Sequence, residues 1–178
     1  MRILLIIFSF FISSCAPTGE MATKMVSLPK YTNAWQIYSL DEWPRPSNVS
    51  LALDIFYEHW KQKFGDKEDK VLNALNTILI EWTQEAPKRM LGYTADGNIK
   101  TGKPKGIAIS PGYIKIWKNQ YNRIASTAFI HELVHIALWN TGNPQGDPDH
   151  EGTMYKGWTS EHTKLVNDLN KILANMNI

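Results

Sequence analysis

The chain has 178 residues, 43% hydrophobic and 20% charged, a balance that excludes fibrous, low-complexity and wholly disordered proteins and fits one compact domain. Lys and Arg number 19 against 17 Asp and Glu, a net +2 that is too even for phosphate neutralisation, so no nucleic-acid partner is expected. The one cysteine, Cys15, excludes an internal disulfide framework and any four-cysteine zinc module.

Arg2 supplies a positive start, and Ile3 to Ile12 form an apolar run broken only by Ser9. At about 1.5 Å per helical residue this run spans roughly half of the ~30 Å hydrocarbon core, which suits a signal peptide and not a membrane span. Ile12-Ser13-Ser14-Cys15 follows directly. It resembles the lipobox of bacterial lipoproteins, in which the cysteine is lipidated and becomes the new N-terminus. The resemblance implies a signal peptide over 1–14, membrane attachment through lipidated Cys15, and a place in the bacterial cell envelope. Ala16 after the cysteine implies the outer membrane, facing the periplasm, in a Gram-negative cell. The alternative is a cleaved secretory peptide with an incidental cysteine.

Residues 15–33 hold small, polar and Pro residues without a period and read as the lipidated cysteine with a flexible tether, which leaves a single domain over 34–178. Leu51, Ile55, Phe56, His59, Trp60 and Phe64 share helical spacing, predicting a helix over 49–64 with Ser47 or Asn48 as its cap and Gly65 as its end. Helix formers from Asp66 to Asn76 lead into β-branched and aromatic residues at 77–83, a helix followed by a strand, with one longer helix to Glu85 as the alternative. Gly92, Asp96-Gly97 and Gly102 mark turns or an exposed hairpin over 87–105. Lys100, Lys103 and Lys105 there read as a solvated face, with an acidic-substrate contact as the lesser reading. Two short strands follow, 107–110 and 113–117, around Pro111-Gly112. The second is expected to be an edge along which an extended peptide lies.

Residues 120–140 are apolar around most of a helical circumference and belong in a core. Within them, His131-Glu132-Leu133-Val134-His135 sets two imidazoles on one helix face, close enough to share a metal ion, with Glu132 turned about 100° away from His131. Unmetallated, these polar groups would each cost roughly 1–3 kcal/mol if left without partners in a core. Gly142 is placed to end the helix, and the Gly/Pro-rich loop after it carries His150. The last segment is amphipathic, with Leu165, Val166, Leu169, Ile172 and Leu173 on one stripe.

The HExxH pattern in its uncharged flanks resembles the active-site helix of zincin metallopeptidases. The resemblance implies an α+β fold in which a small sheet packs on the HExxH helix, with further helices on its N- and C-terminal sides. It also implies one Zn²⁺ ion held by His131 and His135, Glu132 as general base, and a peptide or protein substrate. The compact metzincin motif is absent, since Thr141 stands where the third histidine would be and Leu138 where its glycine would be. The third ligand is assigned to His150, with Glu161 as the alternative on the pattern of gluzincins and Asp147, Asp149, Glu151 or His162 as further candidates. Asp147 or Asp149 would otherwise orient a histidine ring. Met154-Tyr155 resembles a Met-turn, and Tyr155 is a candidate oxyanion donor. The protein is expected to be a monomeric, envelope-anchored metallopeptidase. Two other readings are a catalytically inactive zincin-like lipoprotein acting as an envelope binding or structural module, and a metal-free structural protein.

Overall fold

The computed structural model describes residues 24–31, 33–38, 43–84, 90–93, 99–102, 104–118, 120–148, 150 and 157–178. The signal peptide over 1–14, Cys15, Asp149, Glu151, Met154 and Tyr155 lie outside the described residues.

The fold is mixed α+β. Its elements are β1 (Lys24–Ser27), β2 (Trp35–Tyr38), α1 (Pro46–Phe64), α2 (Lys70–Asn76), β3 (Leu79–Thr83), β4 (Met90–Tyr93), β5 (Ile99–Gly102), β6 (Gly106–Ser110), β7 (Tyr113–Trp117), α3 (Phe129–Asn140) and α4 (Ser160–Asn175). Five strands form one sheet in the order β1-β2-β3-β7-β6, and β4 pairs with β5 as a separate two-stranded ribbon. β2, β3 and β7 run parallel, while β1 and β6 are antiparallel to their neighbours at the two edges.

Strand alternation decides which side of the sheet is covered. Ile80 and Trp82 of β3 and Ile114 and Ile116 of β7 are buried, and Trp82 meets Phe129 of α3 with ring centroids 5.4 Å apart. On the opposite face the partly exposed Glu81 receives the Tyr113 hydroxyl and an ion pair from Lys115 at 2.7 Å. α3 lies against β6 and β7 on one side and against α2 and α4 on the other. That placement explains its composition, because nine of its twelve residues are buried and no polar face is left for solvent. α4 contributes Leu165, Leu169 and Leu173, four residues apart and all buried, while Val166 and Ile172 are only partly covered at the edge of that stripe.

Several expectations are corrected. The stretch 15–33 is not tether throughout, since β1 pairs with β2 and Leu28 and Tyr31 are core residues. A four-residue strand is too short to display a period; it is held by pairing with β2 and by Val26 packing on the core. α1 starts three residues early, at Pro46, with Arg45 in the cap position and neither Ser47 nor Asn48 capping. Proline suits a first helical residue, having a suitable φ and no N–H to leave unpaired. The segment 66–83 is a helix followed by a strand, so the single helix to Glu85 is excluded.

The helix expected over 120–140 begins only at Phe129, because Thr127 is extended and its Oγ1 accepts the N–H of Phe129 at 3.2 Å. The apolar residues before that point, led by Ile124, belong to a 3₁₀ turn. β7 is not an edge; it sits between β3 and β6, and β6 is the edge on that side. As expected, Gly65 ends α1 and Gly142 takes a positive φ of 104° just after α3. Lys105 is exposed. Among the described residues no helix is long and apolar enough to cross a membrane.

Candidate metal centre

α3 presents His131 and His135 one turn apart, and the loop after Gly142 turns back to bring His150 to them. The three Nε2 atoms form a nearly equilateral triangle, with separations of 3.2 Å between His131 and His135, 3.0 Å between His131 and His150, and 3.2 Å between His135 and His150. An imidazole N–H points outward along the ring bisector, so three nitrogens converging on one point cannot satisfy one another as donors and acceptors. A cation at the point of convergence satisfies all three. Two nitrogens each 2.0–2.1 Å from one tetrahedral ion stand about 3.4 Å apart, and the observed triangle matches this to within a few tenths of an ångström.

The tautomer of His135 is fixed by its neighbour. Its Nδ1 lies 2.6 Å from the carbonyl oxygen of Gly146, which can only accept, so Nδ1 carries the hydrogen and Nε2 presents a lone pair. Burial lowers the pKa of His131 to about 3, assisted by the neighbouring His135 and His150. Burial likewise lowers His135 to about 4 against the opposing effect of the Gly146 carbonyl. Both rings are therefore neutral at physiological pH, the form a metal requires.

The loop that delivers His150 is held at two places. Gly146 has a φ of +68°, and a Cβ there would fall 2.3 Å from the His135 carbonyl oxygen, so only glycine allows the loop to cross so close to α3. Asp147 is fully buried, and its Oδ2 accepts the backbone N–H groups of Gly157 and Trp158. It thereby ties the ligand loop to the segment entering α4. Asp147 and His150 both take left-handed backbone angles, φ 58° and 53°, conformations that persist in non-glycine residues only where surroundings enforce them.

Glu132 points away from the triad's helix face toward β6. It is 5% exposed, and a Cβ on Gly106 would fall 2.8 Å from its Oε1 and 2.8 Å from the Ala128 Cβ. The start of the edge strand is therefore a glycine because the carboxyl passes beneath it. Burial pushes Glu132 up to about 8, and the Ala108 N–H, hydrogen-bonded to it from the same strand, pulls the other way.

Glu161, His162 and Asp147 are not among the converging donors, and Asp149 and Glu151 lie outside the described residues. Glu161 is 56% exposed and pairs with Lys63 of α1 at 2.5 Å, because the first turn of α4 turns it outward. His162 is buried but stacks on Phe64 at 4.2 Å and accepts the Thr159 N–H at Nδ1 in a capping box, a role in helix initiation. Asp147 Oδ2 is engaged by the Gly157 and Trp158 backbone N–H groups. Among the described residues His131, His135 and His150 are the group whose donor atoms could hold an ion.

One participant has no signal in residue spacing. Trp158 is 4% exposed, and its ring centroid lies 4.9 Å from that of His131, 4.8 Å from His135 and 4.7 Å from His150.

No family model, no curated protein and no solved structure matches this chain. Imidazole suits zinc, copper, iron and nickel alike, so the triad alone leaves the identity of the metal open.

Proposed function

We propose that this chain is a zinc-dependent hydrolase of the zincin type that cleaves peptide bonds at the bacterial cell envelope. The observation that carries the reading is the convergence of the three Nε2 atoms, two of them from the helix that also carries a buried carboxyl, Glu132, outside the ligand set. Three protein ligands leave one position of a tetrahedral ion for water or substrate, the pattern of catalytic rather than structural zinc sites. The mixed sheet against α3, with the antiparallel edge strand β6 passing over Glu132, agrees with the zincin reading.

His131, His135 and His150 would hold the metal, which when bound supplies a Lewis acid and lowers the pKa of its water toward ~7. A nearby dication favours the ionised form of Glu132, offsetting the effect of burial. Glu132 takes a proton from the attacking water and returns it to the departing amine nitrogen as the carbonyl carbon–nitrogen bond breaks. The Ala108 N–H steadies the carboxyl during both transfers. β6 is an edge strand among the described residues, and its outward backbone groups other than the Ala108 N–H, which Glu132 takes, would pair with an extended peptide added as a further strand.

The test is a peptide-library cleavage assay on the purified chain. Cleavage is expected with zinc, lost on chelation and restored by stoichiometric zinc. Zinc bound at one per chain without cleavage of any peptide would favour an envelope binding module, and cleavage indifferent to chelation would overturn the reading.

The lipobox over Ile12 to Cys15 supports anchoring of this activity to the membrane by a thioether-linked lipid at Cys15. Radiolabelled palmitate should be incorporated into the wild type expressed in bacteria and absent from Cys15→Ser. Equal labelling of the two would remove the anchor from the account.

A further inference from the structure

We infer that Trp158 is the floor of the metal centre, a positioning residue whose indole supports the three imidazoles from the buried side and turns the ion's open position toward solvent. The inference rests on the triad being a metal centre and adds which side of it reacts. The His131, His135 and His150 ring centroids are 4.9, 4.9 and 5.0 Å apart, and the indole centroid is 4.7–4.9 Å from each of them. The four rings thus make a nearly regular tetrahedron, with the indole on the axis of the triad.

An ion 2.0–2.1 Å from each Nε2 lies about 1 Å out of the plane of the nitrogens. On the indole side it would sit within roughly 3 Å of the ring, too close to admit a fourth ligand between them. By elimination the open position falls on the opposite side. Exposure points the same way, since His131 and His150 are only partly covered whereas Trp158 is 4% exposed.

Trp158 is itself held at two points. Its Nε1–H donates to Thr163 Oγ1 of α4 at 2.9 Å, and its backbone N–H donates to Asp147, on the loop that brings His150. A rigid aromatic surface in contact with all three ligands limits how far any of them can rotate. Outer partners of this kind typically alter metal affinity 10–100-fold.

Cobalt(II) titration of the full chain, followed by visible absorption, tests the inference. The wild type should bind one cobalt, and azide should shift its spectrum by entering the open position. Trp158→Ala should bind cobalt 10–100-fold more weakly, with altered visible bands, while Trp158→Phe restores affinity to within about threefold. If the alanine variant fails to fold, Trp158→Leu, which keeps an apolar body in the core, takes its place in the same comparison.

Unchanged affinity and spectrum in the alanine or leucine variant would overturn the floor and leave the metal centre standing. Azide binding that appears only once Trp158 is shortened would also overturn it, making the indole a lid. Failure of the wild type to bind cobalt would overturn the metal centre and the floor together.

Discussion

Glu132→Gln should retain one metal ion per chain and lower kcat/KM for peptide cleavage by between about 10²- and 10⁴-fold, the range that a positioned general base contributes. Glutamine nearly preserves the volume beneath Gly106 and can still accept the Ala108 N–H, so the cavity and the edge strand keep their places. What it cannot do is take a proton from water. Metal content is unaffected because Glu132 is not among the converging donors. Metal analysis and cleavage kinetics on the same preparation separate the two roles. Wild-type activity in the variant would remove Glu132 from the chemistry, and loss of metal would make it a ligand.

His150→Ala should reduce bound zinc to near zero with little change in secondary structure. Two imidazoles on one helix turn remain, and a zinc site with two protein ligands is far weaker than one with three. The fold does not depend on the ligand itself, because Asp147 still ties the loop to Gly157 and Trp158, and the helical core is closed by Leu165, Leu169 and Leu173. Glu161→Ala serves as the control. Its carboxylate faces Lys63 on the surface, so zinc content should stay at one per chain. Stoichiometric zinc in His150→Ala would mean that another group completes the site.

The parts legible in the sequence are those set by local spacing. The helical spacing through Phe56 and Trp60 and the stop at Gly65 announce α1, although its start and its full buried face, which includes Leu53 and Tyr57 but not Leu51, are set by packing, and the pair His131 and His135 share a face wherever α3 lies. His150 was approachable because a loop rich in glycine and proline follows the helix.

What spacing cannot show is pairing across the chain. β6, not β7, is the edge because of how β3 and β7 align in parallel, a choice made between residues more than thirty positions apart. β1 escapes detection for the same reason, because it is defined by its pairing with β2. The start of α3 was obscured by apolar content that continues back through Ile124, where one threonine hydroxyl decides the boundary. Trp158 was invisible because its contacts reach His131 and His135 across a loop, and an aromatic residue before a helix cap has many ordinary uses. The reason for a glycine at 106 lies in the side chain of Glu132 beneath it.

Zinc-edge X-ray absorption on the purified zinc-loaded chain tests the centre most directly. The account predicts three imidazole nitrogens and one further light atom, an oxygen, all at 2.0–2.1 Å. A shell with fewer than three imidazoles, or one closed by a fourth protein ligand with no exchangeable position, would contradict a catalytic centre built from His131, His135 and His150.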